Sequence, residues 1–146
     1  MHEPIAYFEH DADMGIVGRG ERIEEAFENA ATAMFAIMTS LDQVGLHESV
    51  GIEFEEADPE LALVTWLNLL LGEARSRALI FGRFHLRRDG ASPKGTSSGA
   101  HWSGTAEGEP WRAELERGVE VKGATLTGLA VTHQDGIWEA RCVVDV

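Results

Sequence analysis

Five consecutive residues near the start of the chain, Glu9-His10-Asp11-Ala12-Asp13, put three carboxylates and an imidazole into a segment that reads as a turn. Charges so close repel one another unless a cation or a hydrogen-bonding network offsets them, and oxygen donors gathered this way suit a hard divalent ion. Asp also favours turns for a local reason, because its side chain bonds the nearby backbone, so by itself the segment reads equally well as structural. The far end of the chain offers the same chemistry. Val143-Val144-Asp145-Val146 is an apolar, β-branched run into the Asp145 carboxylate, with the α-carboxylate of Val146 beside it. Chain ends ordinarily fray, and a packed end with two adjacent negative charges is a second candidate for an oxygen-coordinated cation.

Other chemistries lack their residues. His2, His10, His47, His85, His101 and His133 reach neither His-x-Glu nor HExxH nor a paired metal-ligand spacing, which argues against zinc hydrolysis. The segment around Lys94 has the composition of a phosphate loop, but Lys94 precedes Gly95 instead of following the second glycine of GxxxxGK. GIVGRG, from Gly15 to Gly20, carries dinucleotide-type glycines in reversed spacing, without a βαβ unit around them. Cys142, the single cysteine, is followed by two valines and reads as a buried thiol; with no GxSxG either, no nucleophile stands out. A lone cysteine also fits a reducing compartment.

Twelve Lys and Arg against 25 Asp and Glu give a net charge of −13, which repels a phosphate backbone, so direct nucleic-acid binding is not expected. The charge is unevenly placed: from Ile23 to Ala74 there is no Lys or Arg but eleven acidic residues. That tract is either a solvated face or a docking surface for a basic partner. The first residues lack the basic start and apolar core of a signal peptide, and no stretch reaches the roughly 18 apolar residues of a spanning helix. The expectation is a soluble cytoplasmic protein with no membrane association. At 146 residues it should form one domain over 1–146, by the usual scale of about 100–200 residues per domain.

The elements that must position these groups follow from periodicity. Residues 4–9 and 15–20 read as strands flanking the acidic turn. Ile23, Ala26, Phe27, Ala30, Met34, Ile37 and Met38 recur at helical spacing, predicting a helix over about 22–39. Val50, Ile52 and Phe54 alternate with Gly51, Glu53 and Glu55, as in a half-buried strand. Asp58-Pro59 is a cap followed by a pre-organised first residue. The helix it opens is apolar nearly all round and is expected to be the most buried element. A strand over 78–87, a mobile loop over 87–99, a short strand over 101–108 and an irregular 109–118 come next. Asp135-Gly136 is the signal for a two-residue hairpin turn. Counting outward from it sets Val131, Leu129, Thr127 and Thr125 opposite Ala140, Cys142, Val144 and Val146, with Asp145 and Arg141 on the other face. The class is α+β: a mostly antiparallel sheet layer packed with two main helices.

Taken together, His10-Asp11-Ala12-Asp13-Met14-Gly15, the FENAA of Phe27 to Ala31, Trp66-Leu67-Asn68, Glu120-Val121-Lys122 with Thr125, and the closing Val143-Val144-Asp145-Val146 resemble the archease family in order and spacing over nearly the whole chain. The resemblance implies a small α+β protein that activates the tRNA-splicing RNA ligase of the RtcB type. Such a protein promotes the ligase's guanylylation and multiple turnover and does not itself join RNA, so it is not an enzyme. It implies that Asp13 and Asp145 bind a divalent cation, Ca²⁺ or Mg²⁺, with Val146 close by. His10 matches the motif as a hydrogen-bond partner or a base. Lys122, by strand alternation, shares a face with Asp145 several residues away. Asp11 stands where archeases usually have Thr, and adds either a ligand or only a charge. Leu69 stands in place of Glu, and Leu126-Thr127 in place of Tyr-His. Two alternatives remain: a small metal-dependent hydrolase using the same carboxylates, and a general chaperone or scaffold whose acidic tract meets clients. Self-association is left open.

Overall fold

The computed structural model describes residues 3–89 and 101–146. Its elements are β1 (Ile5–His10), β2 (Asp13–Gly20), α1 (Ile23–Ala36), a 3-10 turn (Leu41–Gln43), β3 (Glu48–Glu55), α2 (Pro59–Arg77), β4 (Leu79–Asp89), β5 (His101–Pro110), β6 (Gly123–Ala124), β7 (Ala130–Gln134) and β8 (Ile137–Asp145). The expected α+β class holds, with every strand pair antiparallel, but the strands divide between two sheets instead of forming one layer. One has the order β1-β2-β8-β6, with β7 also paired to β8; the other is β3-β5-β4. Helix α1 packs against β2 of the first sheet and β4 of the second, and so joins them. Apart from Arg87, Arg88 and Asp89, which belong to β4, the loop expected to be mobile lies outside the described residues. No helix of the described residues is long and apolar enough to cross a membrane.

The core is built from aromatic rings tied by backbone hydrogen bonds. Phe27 of α1 stacks on Trp102 of β5 at 5.0 Å, and Phe54 of β3 stacks on the same indole at 5.9 Å. Trp66 of α2 donates its indole N–H to the Phe27 carbonyl at 3.0 Å, which satisfies a fully buried donor and locks the two helices together. Asp58 caps α2 as its sequence implies, accepting from the Glu60 and Leu61 N–H groups with Pro59 in the first turn. α2 is nevertheless not the most buried element. It buries seven of its 19 residues against eight of 14 in α1, and Leu61 and Leu69 face solvent. An apolar circumference marks what a helix could bury, and the neighbours available decide what it does bury.

Glycine matters most where α1 meets β2. A Cβ on Gly18 would collide with the α1 backbone at Ala26 and Ala30, a contact that no rotamer change relieves. Gly18→Ala should therefore destabilise the fold by about 1–3 kcal/mol, read as a lower denaturant midpoint in a urea titration.

The hairpin begins as counted from Asp135-Gly136, with Gln134 opposite Ile137 and Val131 opposite Ala140. The register then breaks. Val144 pairs with Ala124, not Thr127, a slip of three residues, and Leu129 and Thr125 likewise leave their expected partners. The intervening loop is held by backbone contacts. Thr125 donates to the Val143 carbonyl through both N–H (3.0 Å) and Oγ1 (2.8 Å), and the Val143 N–H donates to the Thr127 carbonyl at 2.9 Å. Gly128, with φ of 63°, supplies the turn.

At the end of β5, Glu109 is only 6% exposed and fastens the stretch after α1. Its carboxylate accepts from the Arg112 guanidinium at 2.9 Å and from the Gly45 N–H. The Arg112 hydrogen bond, followed by that of Gly45, holds its pKa below the ordinary glutamate value. A depressed folded-state pKa contributes stability that is complete above the unfolded pKa, about 4.3, and is lost as pH falls through the folded one. Urea midpoints of wild type and Glu109→Gln should thus differ most at neutral pH and converge as pH is lowered below about 4.

Candidate carboxylate site

The β1–β2 hairpin positions the first group of carboxylates. His10 pairs with Asp13 across a two-residue turn of Asp11 and Ala12, so both motif ends are strand residues and only the middle is turn. Asp11 has φ of 51°, a left-handed conformation that Asp tolerates better than most side chains, and its own side chain is fully out in solvent. The motif glycine has a packing reason. Phe8 lies opposite Gly15 and its ring fills the space a Cβ would need, while the Arg141 guanidinium sits 4.3 Å above that ring.

β8 brings the other end of the chain to the same place. Met14 pairs with Val144 and Gly15 with Val143; continued by one residue, this register sets Asp13 against Asp145. Residues opposed in this way share a face, with Cα atoms about 4.5–5.5 Å apart. On the far side of β8, Gly123 of β6 pairs with Asp145. His10, Asp13, Asp145 and Gly123 therefore form one row across four adjacent strands. Asp145 is exposed, Asp13 is half-buried, and Val146 is half-buried against the core. The His10 Nδ1 is buried without a hydrogen bond, its nearest carboxylate being Asp11 at 3.9 Å.

Lys122 lies closer than counted. Its backbone N–H donates to the Asp145 carbonyl at 2.7 Å. The same odd-numbered slip reverses its alternation, so by strand parity it no longer shares a face with Asp145. Two residues of α2 hold this segment in place. Asn68 clasps Ala124 from both sides, accepting from its N–H at 2.9 Å and donating to its carbonyl at 3.1 Å. Arg75, two turns on, donates to the carbonyls of Val121 (2.8 Å) and Lys122. Sequence reasoning gave neither residue a role. An amide within an otherwise apolar helical run was the available signal for Asn68, and nothing local marked Arg75.

The chemistry of the donors fits a hard divalent cation, but their number does not complete a cage. Among the described residues no group of three or more His, Cys, Asp or Glu side chains is close enough to hold a metal ion. Two carboxylates in register leave several of the 6–8 positions of Ca²⁺ or the six of Mg²⁺ to water or to another molecule. Cys142 takes no part: burial pushes its thiol up to about 12, which keeps it protonated and inert, as its valine neighbours implied. The departures from the archease pattern at Leu69 and Leu126 both lie on the surface, at 37% and 65% exposure, beside the Asn68–Ala124 clasp.

These features define a small two-sheet α+β protein with an open pair of carboxylates at one end of the central strands β2 and β8. The archease protein family model matches residues 6–146. Protein archease of Methanothermobacter thermautotrophicus is 34% identical over 140 residues, 96% of each chain, and that of Sulfolobus acidocaldarius is 35% identical over 141 residues, again 96% of each. The solution structure of Methanobacterium thermoautotrophicum protein 1598 superposes with a TM-score of 0.84 at 32% identity, covering 98% of this chain and 99% of that one. A Thermotoga maritima archease, described as a possible chaperone, shares the fold at a TM-score of 0.64 and 20% identity, with 100% and 98% covered. The chain belongs to the archease family.

Asn68→Ala removes both hydrogen bonds to Ala124. It should cost about 1–3 kcal/mol in unfolding free energy and speed amide exchange at Lys122 and Thr125 more than in β1, as measured by hydrogen-exchange NMR.

Proposed function

We propose that this protein is a non-catalytic activator of an RtcB-type RNA ligase, promoting its guanylylation and multiple turnover. The observation that carries this reading is the β2–β8 register, which sets Asp13 beside Asp145 at the same end of two central strands. Asp13, Asp145 and Val146 would hold Ca²⁺ or Mg²⁺, which when bound supplies charge neutralisation and open coordination positions. The chain's own contribution is placement. β8 and the Asn68 clasp fix the carboxylates, and the donor set, short of a full cage, leaves room for oxygens from a partner. The net charge of −13 favours a basic protein surface and speeds encounter with it. RNA contact is left to the ligase.

A chaperone reading takes support from the description of the Thermotoga relative and from exposed Leu61, Leu69 and Leu126. It requires broad protection of unfolded clients, insensitive to Asp13 and Asp145. On the ligase reading, Asp145→Ala and Asp13→Asn each weaken Ca²⁺ or Mg²⁺ binding in calorimetry by tenfold or more and abolish multiple turnover by the ligase, with circular dichroism unchanged. Full activation by Asp145→Ala would sink the mechanism.

A further inference from the structure

Away from the carboxylates, a pocket of about 310 Å³ opens between the ends of α1 and α2, the start of β4 and the irregular segment that leads to β6. Its size falls at the lower end of the range of ligand pockets, about 300–1,000 Å³. Phe35, Leu71, Ile80 and Val121 line it and are each at most 3% exposed, so its inner surface is apolar. Its rim is not. The Arg117 guanidinium sits over Trp111, with Cζ 3.7 Å from the ring centroid, and among the described residues no carboxylate comes within 4.0 Å of it.

The local charge runs against that of the whole chain. The lining carries Arg75 and Arg117 against Glu120, one net positive charge on a protein of charge −13. Arg75 is already engaged with the carbonyls of Val121 and Lys122, which leaves Arg117 as the donor available to a ligand. Stacking on Trp111 restrains the guanidinium before anything binds, which lowers the ordering cost of accepting a planar, bidentate anion.

We infer that this pocket binds an apolar monocarboxylate, with an aromatic or branched aliphatic body against Phe35, Leu71 and Val121 and its carboxylate on Arg117. A free acid and the carboxylate end of a peptide with an apolar last residue present the same chemistry. The site is independent of the ligase reading, since it uses neither Asp13 nor Asp145.

The test is a ¹H–¹⁵N NMR titration of the full chain, following the Trp111 indole N–H, assigned with Trp111→Phe. The probes are phenylbutyrate, phenylbutanol and phenylbutylamine, and a short peptide ending in Phe as free acid and as amide. Phenylbutyrate or the free-acid peptide should saturate the Trp111 shift at millimolar concentration, and which of them does so identifies the source. The alcohol, amine and amide should bind about tenfold more weakly or less, reflecting loss of a charge-assisted hydrogen bond. Arg117→Gln should weaken the acid by a similar factor and leave the alcohol unchanged. Equal binding of acid and alcohol, indifference to Arg117→Gln, or no saturation by either acid overturns the assignment.

Discussion

Strand β8 hydrogen-bonds to more of the molecule than any other element of its sheet: β2 runs along one edge, and β7 and then β6 occupy successive stretches of the other. That three-way pairing fixes the geometry of everything near the carboxylates. A slip of one residue between β2 and β8 would turn every alternating side chain to the wrong face and move Asp145 away from Asp13. The register is held by packing on both sides. Ile16, Ala140, Cys142 and Val144 are buried in the core, while Val143 is buried from outside by the loop that Thr125 pins and by Phe8.

The helices stabilise that register from a distance. α1 approaches β2 closely enough to require Gly18, and α2 reaches across to β6 through Asn68 and to the two residues before it through Arg75. A helix interior that is mostly apolar thus carries polar side chains at the two places where it must grip backbone. The grip matters because β6 is only two residues long, too short to stay paired through its own ladder.

The acidic tract divides into committed and free charges. Glu28 accepts from the Leu86 N–H at 2.8 Å, Glu73 pairs with Arg77 at 2.7 Å, and Glu53 sits 2.7 Å from the Nε2 of buried His101. These three carboxylates do structural work within the fold, which neither a solvated face nor a docking surface requires of them. Asp13 and Asp145, outside that tract, have no basic side chain within ion-pair distance among the described residues.

The parts of the fold legible from the residues alone are those that short-range chemistry decides. Asp58-Pro59 starts α2, Asp135-Gly136 turns the last hairpin with φ of 55° and 79°, and the alternation of Val50 and Ile52 sets the inner face of β3. The motifs at either end of the sequence also name Asp13 and Asp145 as candidates. Tertiary structure alone decided how those ends meet: the β2–β8 register that sets Asp13 against Asp145, the slip of three residues that moves Lys122 onto the Asp145 carbonyl, and the clasp from Asn68. The reason is physical. Caps and turns depend on neighbours a few residues away. The pairing of segments from opposite ends of the chain depends on which excursion, helix contact and buried face together cost least, and no local pattern records that sum.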